Sequence, residues 1–358
     1  MSVVYKKLED VCEILDSRRV PITAKDRKAG AYPYYGANGL QDYVADYIFD
    51  DELVLLAEDG GNFGSKERPI AYRVSGKCWV NNHAHVLKAK PSIHVDYLCY
   101  ALMFYDTEGL VNGATRQKLT QAAMRQMVIP YRDMTEQLQI IEKISQIVRS
   151  IEKRKEELQL LDQLVKSRFI ELFGTIHDNR FGFGVVTLQD VSAPIKDGTH
   201  QTPTYTTDVE NGYKFLSSKD VTTGKVDWSH LKYIPEELHR ELYARISPRR
   251  GDILLAKNGT TGIAAIVDRD EVFDIYVSLA LIRPHGVDPT YLWAAINAAE
   301  TKQQFDASLK GIGVPNLHLG EIKKARIILP PMELQEQFAA FVEQTDKSKL
   351  CGKMEVAA

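Results

Sequence analysis

The chain has 358 residues, of which 44% are apolar and 26% are charged, and its formal net charge is −3. This length favours two domains, and the composition is typical of a soluble globular protein whose halves each bury a core. No secretory signal or membrane span is expected, and four scattered cysteines without a CxxC pair indicate reduced thiols in a cytoplasmic protein. The charge argues against a protein that grips nucleic acid through a strong basic excess.

The first half predicts short strands with a few helices. After "KLEDVCEI", which begins at Lys7, the apolar run "ELVLLAEDG" (Glu52 to Gly60) predicts a strand that ends in a turn. "VDYLCYAL" (Val95 to Leu102) predicts a helix. "VIPYRDMTEQL" (Val128 to Leu138) then predicts a strand that Pro130 stops before a helix begins.

A long helix follows, because no Pro or Gly occurs from Met134 to about Phe173. Apolar residues recur there every seven positions, which predicts left-handed winding around a partner helix. They are Ile144, Ile151, Leu158, Val165 and Leu172. The second seam position changes from apolar to polar at Lys155 and Asp162, so the seam narrows. About 40 residues give a rod of about 60 Å, and Gly174 is expected to end it.

The second half repeats the plan of the first. "TLQDVSAPI" at Thr187 matches "KLEDVCEI", "DILLAKNG" (Asp252 to Gly259) matches the strand and turn, and "PTYLWAAI" (Pro289 to Ile296) matches the helix. The closing matches show a constant offset of 200 residues. They pair Gly313 with Gly113, Leu319 with Leu119, Pro330 with Pro130, and Glu336-Gln337 with Glu136-Gln137. A shorter helix then carries Leu334, Phe338 and Phe341 at helical spacing. The irregular mixture of strands and helices favours an α+β fold.

Catalytic motifs are hard to find in this sequence. "GGNFGSK" (Gly60 to Lys66) lacks the spacing of a phosphate-binding loop, and a strand is expected after it. His83 and His85, on one strand face, form a His-x-His pair near Cys78 that lacks further ligands, so no metal site is predicted. Dinucleotide-binding, nucleophile-elbow and adenine-methyltransferase loop motifs are also missing from the sequence.

Polar and aromatic residues instead cluster in turns of both halves, where such side chains read base edges or contact phosphates. Ordinary turn chemistry explains any single one of them equally well. In the first half the candidate DNA contacts are Arg18, Arg19, Tyr35, Asn38, Asn62, Lys66, Asn82, His83 and Arg116. In the second half they are Lys196, Thr199, His200, Thr202, Lys219, Lys257, Asn258, Thr260, Thr261, Asn316 and His318.

These phrases resemble the DNA-specificity subunit of type I restriction-modification systems. "LPPMELQEQ" (Leu329 to Gln337) resembles the start of a family spacer helix, and "PYYGANGLQDYVADYIFDDE" and "WVNNHAHVLKAK" resemble a first target-recognition domain. "IKDGTHQTP", "FLSSKDV", "GDILLAKNGTTGIAAIVD" and "GVPNLHLGEIK" resemble a second one.

The resemblance implies two target-recognition domains in a pseudo-twofold arrangement, separated by antiparallel coiled-coil spacer helices. The expected boundaries are 1–130 and 175–330 for the domains, 131–174 and 331–350 for the helices, and 351–358 for a tail. Each domain would read one half of a bipartite, asymmetric double-stranded DNA target. The chain itself would be non-catalytic and bind no cofactor or metal. Its partners would be two methyltransferase subunits that use S-adenosylmethionine, and restriction subunits that use ATP and Mg²⁺.

Three questions stay open at this point. The family usually has two spacer helices of similar length, so the short second helix leaves self-association through the first one as an alternative. A non-catalytic coiled-coil scaffold that does not read DNA is a second function class. An enzyme built on "HAH" or "GGNFGSK" is a third, which metal analysis and nucleotide titration would test.

Overall fold

The computed structural model describes residues 3–113, 116–309 and 315–357, with side chains as far as residue 350. The chain divides into two compact units, Met1–Glu152 and Lys153–Ala358, and the division falls inside the long helix. Gly313, which the sequence repeat pairs with Gly113, lies outside the described residues. Within the described ranges, no helix has both the length and the apolar character needed to cross a membrane.

Over its described residues, the first unit combines ten strands with four helices, the last of which is shared with the second unit. Its elements are β1 (Val4–Lys7), α1 (Leu8–Val11), β2 (Cys12–Ile14), β3 (Ala29–Gly36), β4 (Gly39–Val44), β5 (Phe49–Ala57), β6 (Ala71–Val80), β7 (Ala84–Ala89), α2 (Val95–Met103), β8 (Val111–Asn112), β9 (Lys118–Leu119), α3 (Gln121–Gln126), β10 (Val128–Tyr131) and the long helix α4 (Met134–Phe173). Short 3₁₀ turns cover Asp16–Arg18 and Ala24–Asp26.

The second unit begins within α4 and shows the same mixture. Its further elements are β11 (Gly184–Thr187), β12 (Lys196–Asp197), β13 (Tyr213–Leu216), β14 (Lys232–Ile234), α5 (Glu236–Arg245), β15 (Ile253–Ala256), β16 (Ala264–Ile266), β17 (Phe273–Ile275), β18 (Leu279–Ile282), α6 (Pro289–Asn297), α7 (Ala299–Ala307), α8 (Leu319–Lys324), β19 (Arg326–Leu329) and α9 (Met332–Ala357). A 3₁₀ turn covers Ser218–Val221.

The two units share one sheet plan. In the first unit the strand order is β2-β7-β5-β6-β3-β4, and in the second a four-stranded sheet has the order β12-β18-β15-β16. The first four strands therefore correspond one to one. In each unit the strand before the spacer helix also pairs with the first strand of the unit. β10 pairs with β1 and β19 pairs with β11, both antiparallel. The α+β class and the internal repeat predicted from the sequence are confirmed.

Backbone hydrogen bonds correct the offset of that repeat. In the first unit the amide of Leu119 donates to the carbonyl of Glu58. In the second unit the matching bond runs from the amide of Leu317, not of Leu319, to the carbonyl of Lys257. The two N–H···O distances are 2.7 and 2.8 Å. The structural offset in this region is therefore 198 residues rather than 200.

The two prolines consequently occupy different places. Pro130 lies inside β10, opposite Tyr5, whereas Pro330 follows β19 and precedes α9. Strand β10 has only one neighbour, so a residue without an N–H is tolerated there. The prediction that Pro130 stops its strand is wrong, because Ile328, and not Pro330, holds the equivalent position opposite Val185.

A buried glutamine joins each spacer helix to the helix beside it. Gln137 Oε1 accepts the amide of His94, the residue that caps α2, over 2.7 Å, and its Nε2 donates to the carbonyl of Arg132 over 2.8 Å. Gln335 makes the same two bonds to Asp288, which caps α6, and to Pro330, over 2.9 and 2.8 Å. The residue equivalent to Gln137 is therefore Gln335 and not Gln337, again at an offset of 198.

Helix α4 matches its prediction from Met134 to Phe173, and Gly174 follows it in the left-handed conformation (φ +71°) that favours glycine. Its last turns pack against α9. The rings of Phe169 and Phe338 lie 5.5 Å apart, and Lys349 Nζ lies 2.7 Å from Asp162 Oδ1. The contacts run from Phe169 and Phe338 to Asp162 and Lys349, so residue numbers rise along α9 as they fall along α4. The two helices are therefore antiparallel here.

The predicted seam residues differ in burial. Val165 and Phe338 are buried in one apolar cluster of the second unit, and the partly buried Leu172, Leu334 and Phe341 pack against it. Ile144, Ile151 and Leu158 are partly buried as well but lie outside that cluster. Asp162, which interrupts the seam, is paired with Lys349. Burial alone would lower the pKa of Lys349, but the bonds to Asp162 and Asp346 raise it. Helix α9 runs to Ala357, so the predicted end at residue 350 falls within it.

Candidate nucleic-acid interface

In the first unit, curling of the main sheet brings three turns together. Tyr72, near the start of β6, donates its hydroxyl to the carbonyl of Gly36 over 2.5 Å, while the amide of Asn81, just past the end of β6, donates to Tyr35 over 3.0 Å. Both ends of β6 thus approach the turn between β3 and β4. Asn38 in that turn donates from Nδ2 to the carbonyl of Gly60 over 3.0 Å.

Asp59 organises two of the predicted residues in this place. Its carboxylate pairs with the guanidinium of Arg116 and lies 3.2 Å from Nδ1 of His83. The Arg116 side chain is nevertheless 60% exposed. An arginine held by a carboxylate on one edge presents its remaining donors in a fixed direction, which suits bidentate bonding to guanine or phosphate. The sequence reasoning missed Asp59, although it directly precedes the turn glycine, Gly60.

The other candidates of the first unit have varied surroundings. Arg18 is exposed, donates to the carbonyl of Ile48 over 3.1 Å and lies over the Phe49 ring. Asn82 and Lys66 are exposed, Asn62 is half-buried in the turn after β5, and Tyr35 packs beside Tyr72. The structure therefore brings Asn38, His83 and Arg116 together around Asp59 and Gly60. Arg18 instead contacts Ile48 and Phe49.

Arg19 belongs to a buried ionic network instead of the surface. Its Nη1 donates to Glu58 Oε2 over 2.6 Å and its side chain is 13% exposed. His85, fully buried, donates from Nδ1 to Asp16 over 2.6 Å and from Nε2 to the carbonyl of Leu119 over 2.9 Å. Both ring nitrogens of His85 therefore face oxygen atoms of neighbouring residues. Burial alone would raise the pKa of Asp16, but the His85 bond and charge lower it overall.

Asp16, Glu58 and His85 also have the donor atoms of a metal site, since their ligand atoms lie within 4.8 Å of one another. Those atoms are already engaged, because Arg19 binds Glu58 and both nitrogens of His85 donate hydrogen bonds. The set therefore fits an ion-pair network better than a metal. His83 precedes β7 instead of sharing a strand face with His85, so the two histidines have no common ligand position.

The second unit holds a cavity of about 610 Å³ lined by residues from four chain segments. Five of the predicted residues line it, together with Asp197: they are His200, Lys257, Asn258, Asn316 and His318. Lys257 and Asn258 directly follow β15, and Asn258 forms an antiparallel bridge with Asn316. The carbonyl of Lys257 accepts the amide of Leu317 over 2.8 Å, which fixes this register.

Lys257 is the innermost charged residue of the cavity. Its Nζ donates to Asp197 Oδ2 over 2.6 Å, and the two side chains are only 7% and 12% exposed. His200 Nε2 lies 3.2 Å from the same carboxylate oxygen but is 69% exposed. Breaking a buried pair leaves an uncompensated charge, so Lys257 is held in place by Asp197 and is not free to bind phosphate. Asp197 was missed because its partner lies 60 residues away in the sequence.

The amides of Asn258 and Asn316 stand out chemically. Among the residues that the structure describes, the Oδ1 atoms of both are buried without a hydrogen-bond partner. Such groups are uncommon in folded proteins, because a buried acceptor without a donor loses the bond it would make to water. Two of them lie opposite each other at one backbone bridge and line the cavity, which makes this place a candidate binding site.

The remaining candidates of the second unit are spread around this cavity and beyond it. Lys196 Nζ donates to the carbonyl of Arg245 over 3.3 Å, and Thr199 is buried and accepts the amide of Gln201 through Oγ1. Thr261 is also buried. The exposed ones are Thr202, Lys219 and Thr260. Their positions do not assign them to bases or to phosphates.

Comparisons with known proteins agree with this architecture. The family model described as the type I restriction modification DNA specificity domain matches residues 2–161 and 182–352. A Haemophilus influenzae protein whose name places it among type I restriction enzyme specificity subunits is 28% identical over 96% of this chain and 87% of its own length. The MjaVIII specificity subunit of Methanocaldococcus jannaschii is 23% identical over 95% of this chain and 85% of its own length. In fold, the chain is similar to the crystal structure of a type I restriction-modification S subunit from M. genitalium. The TM-score is 0.54 at 13% identity, covering 100% of this chain and 92% of that one.

Proposed function

Since this chain belongs to the family of type I restriction-modification DNA-specificity subunits, we propose that each of its units reads one half of a bipartite, asymmetric double-stranded DNA target. In this family the specificity subunit is the target-recognition component and not a catalytic one. Reading by this chain would direct adenine methylation, and restriction, by partner subunits.

One observation carries the proposal. The two units place unlike polar side chains at equivalent positions of the same sheet plan, directly after β5 and β15. In the first unit the bridge is Asp59 with Lys118, next to Arg116, and in the second it is Asn258 with Asn316. A repeated scaffold with different hydrogen-bonding groups is what reading two different half-sites requires.

The unbroken helix α4 connects the two units, so we propose that its length sets the gap between the half-sites. The test is a seven-residue insertion after Ser150, which keeps the apolar repeat in phase and precedes the stretch that contacts α9. Seven helical residues add about 10.5 Å, or about three base pairs at 3.4 Å each. Methylation mapping in cells with the whole system should show the same half-sites with a gap about three base pairs longer.

A control insertion of seven residues in the exposed turn at Asn211 should leave both the half-sites and the gap unchanged. An unchanged gap in the helix variant, with altered half-sites, would contradict the spacer role. The coiled-coil scaffold that does not read DNA, the alternative from the sequence, is disfavoured by the family match.

The partners follow from the same proposal. Two methyltransferase subunits would carry S-adenosylmethionine, and restriction subunits would carry ATP and Mg²⁺, in the cytoplasm where the DNA lies. This chain would bind none of these cofactors itself. Calorimetric titration of the purified chain with S-adenosylmethionine should show no binding, while the complex with methyltransferase subunits should bind it. Binding by the chain alone would overturn this division of roles.

A further inference from the structure

We propose that the cavity of the second unit reads one adenine of the second half-site in the major groove. The side-chain amides of Asn258 and Asn316, which lie opposite each other at a backbone bridge, would contact this base. This inference rests on the proposed DNA-reading function and specifies the base that this site takes. It names a position that the family match alone does not assign.

The amides of Asn258 and Asn316 are available to a ligand. Within the described part of the chain, neither side chain has a hydrogen-bond partner, and both Oδ1 atoms are buried. A half-turn of either amide about its Cβ–Cγ bond exchanges oxygen and nitrogen without breaking a bond. Each amide is therefore a donor and an acceptor side by side that the folded unit itself does not use.

The buried charges of the cavity, Lys257 and Asp197, balance one another. The one buried cation of the cavity, Lys257, is neutralised by Asp197 at 2.6 Å, and the carboxylate of Asp197 also attracts His200. A phosphate group would meet this carboxylate and would use only the donor end of each amide, so the acceptor ends would stay unpaired. The cavity therefore favours a neutral ligand with mixed hydrogen-bonding groups.

The bases differ in the hydrogen-bonding groups that their edges present in the major groove. In the major groove guanine presents two acceptors, thymine one acceptor, and cytosine one donor. Adenine presents the N6 amino donor beside the N7 acceptor, which matches the oxygen and nitrogen of one asparagine amide. Only adenine satisfies both ends of such an amide at once. The second asparagine, bridged to the first at the backbone, is then available to orient it or to bond the neighbouring base.

The first unit shows that the position is not simply a structural requirement of the fold. Its equivalent bridge joins Asp59 and Lys118, and Asp59 pairs with Arg116 and His83. There the polar groups lie in charge contacts with one another, so the scaffold folds with an acidic side chain beside basic ones at this place. Among the described residues, the amides of Asn258 and Asn316 at the second bridge have no such charged neighbour in contact with them.

The first test changes the protein. Asn258→Asp and Asn316→Asp, each in the full chain assembled with methyltransferase subunits, replace a donor–acceptor group by an acceptor-only group. An acceptor suits the cytosine amino group, so methylation mapping should show that one variant shifts one position of the second half-site from adenine towards cytosine. The expected loss for the original adenine is roughly 5- to 150-fold. Asn211→Asp, in an exposed turn, is the matched control and should change no position.

The second test changes the DNA and uses the wild-type complex, so that misfolding of a variant cannot decide the outcome. Each adenine of the second half-site is replaced in turn by purine, which lacks the N6 amino group, and by 7-deazaadenine, which lacks N7. Binding, and not methylation, is measured. One adenine should lose affinity with both analogues, and Asn258→Ala with Asn316→Ala should remove that sensitivity.

Two failures can be told apart. If the wild-type system methylates no bipartite sequence, the proposed function itself fails. If it does, but no adenine responds to both analogues, or the folded aspartate variants change only the first half-site or none, the adenine-reading inference alone is overturned.

Discussion

The buried glutamines at the starts of the spacer helices offer the sharpest test of how each unit holds its helix. Gln137 is fully buried and makes three hydrogen bonds, to the amide of His94 and to the carbonyls of Ser92 and Arg132. In a capping box, a side chain of the same helix takes the amide of the capping residue. Here a side chain of a different helix takes it, which ties α2 to α4.

The cost of removing this contact follows from the groups left behind. Gln137→Leu preserves most of the volume but leaves one buried N–H and two carbonyls without this partner. An unsatisfied buried group costs about 1–3 kcal/mol, and the lost desolvation of the glutamine offsets part of it, so we expect a loss of about 2–4 kcal/mol. Gln335→Leu removes two bonds in place of three, so its loss should be somewhat smaller.

Urea unfolding followed by tryptophan fluorescence separates the units, because Trp79 lies in the first and Trp228 and Trp293 lie in the second. Hydrogen exchange of the peptides over α2 and α6 should show faster exchange at the start of the affected helix. Gln139→Leu and Gln337→Leu, exposed on the same helices, are the controls and should change stability by less than about 0.5 kcal/mol. If Gln337→Leu destabilised the protein as much as Gln335→Leu, the structural equivalence of Gln137 and Gln335 would be wrong.

Three further predictions concern other parts of the molecule. Because the pKa of Asp16 lies below its usual value of 3.8, its carboxylate stabilises the fold fully above that value and loses this effect as pH falls through the folded pKa. The stability difference between wild type and Asp16→Asn, measured by urea unfolding, should therefore be largest near neutral pH and narrow below about pH 4; a constant difference would refute this. Phe338→Ala should cost the second unit about 3–5 kcal/mol in urea unfolding, and the partly exposed Phe341→Ala clearly less; equal losses would contradict the packing of α9. Arg116→Ala, scored by methylation mapping, should relax one position of the first half-site only, and an effect on the second half-site would count against its placement.

Much of the secondary structure follows from local sequence. Helix α4 has its predicted bounds because an uninterrupted run without Pro or Gly ends at Gly174, and α2 and α6 begin where their apolar spacing begins. The repeat was visible for the same reason, since strand, turn and helix signals recur in order. These features depend on residues that are close together in the chain.

The register of the repeat did not follow from sequence. Pro130 and Pro330 match as letters, but hydrogen bonds place Pro130 opposite Tyr5 within a strand and Pro330 after one. Two residues are structurally equivalent when their backbone groups make equivalent hydrogen bonds. Connecting segments that differ in length by two residues change the sequence offset between equivalent residues but not the hydrogen bonds. Similar residues at a constant spacing of 200 therefore predicted a sequence offset that differs by two residues from the structural one.

The candidate contacts were predicted by residue type, and burial separates them. Arg19 and Lys257 have the side chains of phosphate ligands, yet each is held by a carboxylate, Glu58 or Asp197, that lies 39 or 60 residues away. Such pairings arise when strands meet in the folded sheet, so no local pattern predicts them. Asn258 and Asn316 were also predicted by residue type. The structure adds that they lie opposite each other at a backbone bridge and that, among the described residues, neither Oδ1 atom has a hydrogen-bond partner.

The proposed function of this chain is to read a divided DNA sequence for its partners. The most direct measurement is the mapping of adenine methylation across the genome of cells that express the whole system, with and without this chain. We expect methylation at one asymmetric motif, made of two half-sites around an unread gap, and we expect it to disappear when the chain is absent. Methylation that is independent of the chain, or that follows one continuous motif, would contradict it.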